Sequence, residues 1–305
     1  MAECICGAKN PRPYVSGMYR IGDRGFDLLK CRRCGLIFVS PQPQRRDIQK
    51  LYSRDYFKRD YSCLKGYSIE DERKKDYGKK ERYAKLIDTL GSLGKSKNLL
   101  EIGCSSGIFL EIAKGKGWNV TGVELSEWAA GHAPGHVRKN IRVGDFMDIR
   151  LDGGFDVVFM SHVLEHMHDP KKSLGKVFSL LRPKGLLIIE VPYYINSPFY
   201  RAVQLILRTL RIFPLDRDIY EFFRVSGAGA VLRPYHLFEY NPHSLCLLLR
   251  SQGFSITRLG SLVPLTKPRG GRLMLYSLLK LCVEGLNLPG GNLSVFAEKP
   301  AECKN

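Results

Sequence analysis

Leu99-Leu100-Glu101-Ile102-Gly103-Cys104-Ser105-Ser106-Gly107 runs from an apolar stretch into a glycine-bearing loop. Asn98 to Ile102 reads as a short buried strand and Ile108 to Lys114 as a helix, so the loop is a strand-to-helix turn. Such a turn presents backbone N–H groups, at the positive end of a helix, to an incoming ligand. Glycine at 103 and 107 permits a positive φ and lets a ligand come close to the backbone. The small side chains of Cys104, Ser105 and Ser106 keep that approach open. Loops of this kind also occur in dinucleotide-binding folds, so the surrounding sequence has to decide between them.

Outward from the loop the chain alternates. Trp118 to Glu124 is a strand, and a helix starts at Glu127. Val137 to Val143 leads into Gly144-Asp145, and Phe155 to Met160 is a third strong strand. Asp169 to Leu181 is helical and is stopped by Arg182-Pro183-Lys184-Gly185. Leu186 to Val191 is a continuous apolar strand. Strands alternating with helices at this spacing imply βαβ units, and near-continuous apolar strands imply a sheet covered on both faces. Further on, the pattern predicts a helix over Pro242–Gln252, a strand over Phe254–Leu259, an apolar helix over Leu273–Leu286 and a last strand over Asn292–Glu298. Upstream, Asp71 to Leu90 reads as a helix stopped by Gly91. The expected fold is α/β: a Rossmann-like, seven-stranded, mainly parallel sheet with helices on both faces. Its expected span is 91–305, with a helical insertion at about 193–235. A Cys-rich module over 1–45 and a linker with a helical segment over 46–90 precede it.

Two carboxylates fall at the ends of successive strands. Glu124 follows Val120-Thr121-Gly122-Val123 and is suited to accept both hydroxyls of a ribose. Asp145, followed by Phe146, is suited to an adenine amino group and its ring. Together with the loop these make three ligand-facing points on one edge of the sheet.

The order and spacing of these stretches resemble class I S-adenosylmethionine-dependent methyltransferases. The resemblance is carried by Leu100–Gly107, Val123-Glu124, Gly144-Asp145-Phe146, Phe155–Val158, Val163-Leu164-Glu165-His166-Met167-His168-Asp169-Pro170 and Leu181–Pro192. It implies S-adenosylmethionine as cofactor. Its amino-acid end would lie at Glu101, Gly103, Ser105 and Gly107, its ribose at Glu124, and its adenine at Asp145 and Phe146. Ser161 and His162 would lie beside the sulfonium. Ser105 departs from the glycine that many members carry there.

Cys4, Cys6, Cys31 and Cys34 form two close pairs about 25 residues apart, each followed by a glycine, Gly7 or Gly35. This spacing suits a closed, structural Zn²⁺ site of four thiolates, although Cys4-Ile5-Cys6 is one residue shorter than the usual knuckle. The nine cysteines are an odd number, which argues against a disulfide framework. The head, with Cys31–Phe38, Ser40–Pro43 and Leu51–Tyr56, resembles methyltransferases of sugar and surface-polysaccharide biosynthesis. That resemblance implies a nucleotide- or lipid-linked sugar, or another small-molecule or glycan acceptor. His236, in Pro234-Tyr235-His236-Leu237-Phe238, is the candidate general base, because an imidazole titrates in the right range. His162 is the secondary candidate. His166 is expected to hold the loop after the fourth strand, and His168 to face solvent. Carbon-methylating relatives often carry an acid just before the histidine; here that neighbour is Tyr235.

The net charge is +18 and it is uneven. Residues 1–90 hold 21 basic and 12 acidic side chains, 91–190 hold 13 and 11, and 191–305 hold 14 and 7. Basic flanks suit an anionic acceptor, a membrane surface or RNA. An RNA methyltransferase is therefore the alternative function, ranked lower because residues 150–192 lack the Pro-Pro-Tyr type of loop used on base nitrogens. A non-catalytic scaffold ranks lower still, given the intact cofactor loop. Residues 198–213 read as an amphipathic basic helix with Arg201, Gln204, Arg208 and Arg211 on one face, suited to lie on an anionic membrane surface, to cover the active site as a lid, or to pack as an ordinary helix. No apolar run approaches the roughly 18 residues needed to span a bilayer. Met1-Ala2-Glu3-Cys4 shows no export pattern, so the expected location is the cytoplasm or the inner membrane face.

Overall fold

A computed structural model describes residues 3–52, 56, 68–74, 79–91, 96–193, 196–197, 209, 234–262 and 291–301. The chain opens with strands β1 (Arg12–Ile21), β2 (Arg24–Lys30) and β3 (Ile37–Ser40), followed by helices α1 (Arg45–Leu51), α2 (Ile69–Lys74) and α3 (Lys79–Leu90). The alternating part then runs β4 (Asn98–Ile102), α4 (Ile108–Gly115), β5 (Asn119–Glu124), α5 (Glu127–Ala130), α6 (Gly135–Arg138), β6 (Ile141–Val143) and β7 (Phe155–Ser161). A 3-10 turn over Leu164–His166 leads into α7 (Pro170–Leu180) and β8 (Leu181–Pro192). Last come β9 (Phe238–Glu239), α8 (Pro242–Ser251), β10 (Ser255–Leu262) and β11 (Asn292–Glu298).

Seven strands form the main sheet in the order β10-β11-β8-β7-β4-β5-β6. β4, β5, β6, β7 and β8 pair in parallel, and β11 enters antiparallel between β8 and β10. The seven-stranded, mainly parallel α/β expectation is what the protein adopts. β7 is buried along nearly its whole length because helices cover both faces, which is why it reads as an unbroken apolar run. One face packs Tyr83, Ile87 and Leu90 of α3 with Phe109 and Phe159. The other packs Leu174 and Val177 of α7, Leu245 and Leu249 of α8, and Met160 and Ile189.

Local signals explain most boundaries. Asp169 caps α7 by accepting from the Lys172 N–H, and Pro170 opens the helix where no N–H is needed. Asn241 caps α8 in the same way through Ser244. The single helix expected over Asp71–Leu90 is instead α2 and α3, with 75–78 outside the described residues. The strand expected to begin at Leu186 starts at Leu181, with an irregularity over Arg182–Gly185: Phe155 pairs with Leu181 and Val157 with Leu186, and Lys184 has φ +61°. The insertion at 193–235, the amphipathic segment 198–213 and the helix Leu273–Leu286 fall almost wholly or wholly outside the described residues.

A second, four-stranded antiparallel sheet is ordered β1-β2-β3-β9. Its fourth strand comes from 238–239, about two hundred residues downstream of β3, through the pairs Ile37↔Glu239 and Phe38↔Phe238. The segment just before it is tied on both sides. Leu237 N–H donates to the Glu165 carbonyl at 2.8 Å, and Val39 N–H donates to the Leu237 carbonyl at 3.0 Å. The N-terminal strands and the loop after β7 therefore hold residues 236–239 between them.

Candidate active site

β4 is the central strand from which the order reverses, and ligands of open α/β sheets bind at the carboxyl ends of strands at such a switch point. The loop after β4 is there. Gly103 has φ +74° and Gly107 φ +71°, conformations that side chains rarely adopt. A Cβ on Gly103 would meet Val163 Cγ2 at 2.4 Å, so the loop after β7 lies directly against this turn. The glycine requirement at 103 thus comes from its backbone conformation and from Val163. Ser105 also has a positive φ, +48°, a conformation that favours glycine. Its N–H donates to Glu124 Oε2 at 2.8 Å.

Glu124 is buried at 7% exposure, and its other oxygen accepts from the Ser126 N–H at 2.8 Å. Burial pushes its carboxyl above the usual range, against the pull of those backbone donors. Asp145 follows β6. Burial raises its carboxyl, but the Met147 N–H, Gln49 and Arg45 outweigh that and hold it below the usual range. Arg45 Nε and Gln49 Nε2, both from α1, donate to Asp145 Oδ2 at 2.8 and 3.0 Å. Phe146 is buried at 4% exposure, with the Lys176 ammonium 4.6 Å from its ring centre. Its ring belongs to the packed interior, so an adenine beside Asp145 would have to use its edge or its backbone. Glu101 is buried in β4 between Gly122 and Phe159. Ser161 ends β7 and donates to Glu190 Oε2 at 2.8 Å; Arg82 of α3 clamps that carboxylate at 2.6 and 3.0 Å.

The histidines gather around one carboxylate. Glu165 is fully buried, and its Oε1 lies 3.5 Å from His162 Nδ1, 3.6 Å from His166 Nε2 and 4.0 Å from His236 Nε2. His236 Nδ1 is 3.0 Å from Glu239 Oε1. His166 Nδ1 lies 2.7 Å from the Tyr52 hydroxyl and also meets the Tyr235 carbonyl. His162 has φ +55°, so its side chain is swung out of line with β7. Tyr52, Tyr56 and Tyr235 pack their rings 4.9 to 6.0 Å apart beside His166. His168 is exposed.

The four N-terminal cysteines converge. Cys4 and Cys34 sulfurs are 3.6 Å apart, as are Cys6 and Cys31, and all four lie within 4.8 Å of one another. Thiolates around one tetrahedral Zn²⁺ at about 2.3 Å would stand about 3.8 Å apart, whereas a disulfide needs about 2.05 Å. A hydrogen bond from Cys4 lowers the Cys34 thiol to about 5, while Cys4 itself is pushed up. The shorter first pair does not keep Cys6 out of the cluster.

Sequence reasoning noted Glu239 three residues after His236 and missed Arg45, Gln49, Arg73 and the role of Glu165. Arg73 of α2 donates to the Ser106 carbonyl and to Glu111 Oε2, both at 2.6 Å, and so pins the far side of the cofactor loop. Glu165 stood in the quoted Leu-Glu-His stretch without a role. No sequence signal marks Arg45, Gln49 and Arg73, because each acts across a long chain separation.

Residues 75–259 match the family described as a methyltransferase domain. The chain belongs to that family and is an S-adenosylmethionine-dependent methyltransferase. It is 34% identical over 164 residues to the ubiquinone biosynthesis O-methyltransferase of Aromatoleum aromaticum, covering 48% of this chain and 69% of that one. The corresponding enzyme of Pseudomonas aeruginosa is 29% identical over 161 residues, with the same coverages. Among solved structures, magnesium protoporphyrin IX methyltransferase from Synechocystis with bound SAH aligns with a TM-score of 0.50 at 17% identity. That alignment covers 84% of this methyltransferase and all of that chain, and it supports the shared fold. The cofactor loop suits the family's cofactor: the Ser105 hydroxyl is buried without a hydrogen-bond partner among the described residues, so a polar ligand group would find a donor there.

Proposed function

We propose that this methyltransferase acts on a hydroxyl of a small-molecule or glycan intermediate, with His236 taking up the acceptor's proton. The observation that carries this reading is the His236–Glu239 contact at 3.0 Å, on a segment fastened to the loop after β7. S-adenosylmethionine supplies an electrophilic methyl on a sulfonium, which departs as a neutral thioether. Gly103, Ser105 and Gly107 would cradle its amino-acid end and Glu124 its ribose, with Glu101 and Ser161 nearby. Asp145 would take the adenine amino group, with Phe146 contributing backbone or ring edge. His236 would take the acceptor's O–H proton as the oxygen receives the methyl group that bound S-adenosylmethionine would supply. Glu239 holds the imidazole in one tautomer and stabilises its charged form. His162, 3.5 Å from Glu165, is the secondary candidate. The ring cluster of Tyr52, Tyr56 and Tyr235 suits the apolar face of a sugar or an aromatic ring.

Two observations favour a small acceptor. The relatives named above are ubiquinone biosynthesis enzymes, and the head resembles sugar-modifying methyltransferases. The basic flanks suit an anionic carrier such as a nucleotide or lipid phosphate. Among the described residues no helix is long and apolar enough to cross a membrane. Peripheral membrane contact through 198–213 remains part of the proposal. We also propose that Cys4, Cys6, Cys31 and Cys34 hold one structural Zn²⁺, with about one zinc per chain that is lost in Cys31→Ser. Metal-free folded wild-type protein would remove that site. The test of function is transfer of labelled methyl to nucleotide sugars, lipid-linked glycans, phenolic rings and RNA. Label on a small hydroxylated acceptor supports the reading; label on RNA alone overturns it.

A further inference from the structure

Glu165 and the two imidazoles opposite it are arranged like ligands rather than like hydrogen-bonded partners. His166 Nε2 and His236 Nε2 both face the same oxygen, Glu165 Oε1, at 3.6 and 4.0 Å. Those distances exceed the usual hydrogen-bond range of about 2.7–3.2 Å. The ligand atoms of all three residues lie within 4.8 Å of one another. Each imidazole is meanwhile anchored through its other nitrogen, His166 Nδ1 by the Tyr235 carbonyl and the Tyr52 hydroxyl, and His236 Nδ1 by Glu239. Donation from Nδ1 leaves the lone pair on Nε2, so two lone pairs point at one carboxylate oxygen. Metal-ligating histidines show this arrangement: Nδ1–H on a carbonyl or carboxylate, Nε2 on the ion. We propose that Glu165, His166 and His236 hold a first-row divalent cation. Ligands about 2.0–2.1 Å from such an ion stand roughly 3.3 Å apart in a tetrahedron, so each imidazole nitrogen has to close on Glu165 Oε1 by less than about 1 Å.

Two imidazoles and one carboxylate leave open positions on the ion, as in catalytic rather than structural sites. The cation would draw the acceptor oxygen toward it and ease loss of the oxygen's proton, with His236 holding the ion in place of taking that proton directly. That consequence rests on the proposed function; cation binding does not. The site is chemically distinct from the cysteine cluster, since nitrogen and oxygen ligands accept Mn²⁺ whereas thiolates favour softer ions.

The experiment is a titration of chelator-treated full-length protein with Mn²⁺, read as loss of the free-ion resonance signal. Wild type is expected to take up about one Mn²⁺. Glu165→Gln and His236→Ala are expected to bind at least about tenfold more weakly. Because Glu165 is buried, Glu239→Gln serves as the variant that keeps all three ligands, with an expected loss of about 10–100-fold. S-adenosylmethionine binding should be unchanged in all three. No Mn²⁺ uptake by wild type, or equal uptake by Glu165→Gln, overturns the site. Turnover that survives chelation, while His236→Ala still abolishes it, returns His236 to direct proton abstraction and overturns the cation's part in the reaction. Failure of wild type to bind S-adenosylmethionine would instead defeat the proposed function and leave the Mn²⁺ result standing.

Discussion

The cofactor edge and the histidine cluster are built on different principles. At the cofactor edge the glycine turn, Glu124 and Asp145 sit at or just after the ends of β4, β5 and β6, and backbone N–H groups of the adjoining turns hold both carboxylates. Glu124 is held by the N–H groups of Ser105 and Ser126, and Asp145 Oδ1 by that of Met147. At the histidine cluster the groups come from positions 52, 162–166 and 235–239, brought together by the sharing of β9 between the N-terminal sheet and the loop after β7. A site made locally survives in any chain that keeps the βαβ pattern. A site made by long-range docking depends on the head being in place, so the N-terminal module is a structural part of the acceptor side.

The largest expected effect falls on the local side. Glu124→Ala removes a charged acceptor and strands two N–H groups, so cofactor affinity should fall about 100-fold or more; titration calorimetry reads it, and a change below tenfold would break the assignment of the ribose site. Gly103→Ala should cost about 2–4 kcal/mol of stability, from a positive φ and the Val163 contact together. Thermal unfolding measures it, and Val163→Ala should restore part of the loss. On the long-range side, His236→Ala should slow turnover about 100-fold or more while cofactor affinity holds; an unchanged rate makes the residue a packing element.

A smaller effect sharpens the contrast at the one place where the two sides meet. Arg45 and Gln49 reach from α1 to Asp145. The folded carboxyl of Asp145 lies below its ordinary value, so the stabilisation is present above about pH 4 and is lost as pH falls through the lowered value. Arg45→Ala should move acid unfolding to higher pH and cost at most about 1 kcal/mol at neutral pH, since Arg45 is 40% exposed. Acid titration of circular dichroism checks the direction. Smallest of all, Ser105→Gly should raise stability by about 1 kcal/mol or less, as relief of the positive φ is partly offset by glycine's freedom in the unfolded chain.

The same contrast explains what could be read in advance. The β4 to β8 succession was legible because buried parallel strands leave unbroken apolar runs and the helices carry caps such as Asp169. Glu124 and Asp145 could be singled out as candidates because they stand at strand ends. β9 was not, since two residues pairing with β3 leave no periodicity. Glu165 was quoted yet given no role, because its partners at 162, 166 and 236 meet only in three dimensions. Phe146 reads as a stacking ring in sequence, but the fold turns it inward beneath Lys176.

The most direct measurement of the central claim is a calorimetric titration of purified full-length protein with S-adenosylmethionine. Saturable binding of about one cofactor per chain, with affinity in the usual micromolar-to-millimolar range, is the predicted result. Folded protein that gives no binding heat and shows no protection from thermal unfolding by the cofactor would contradict it.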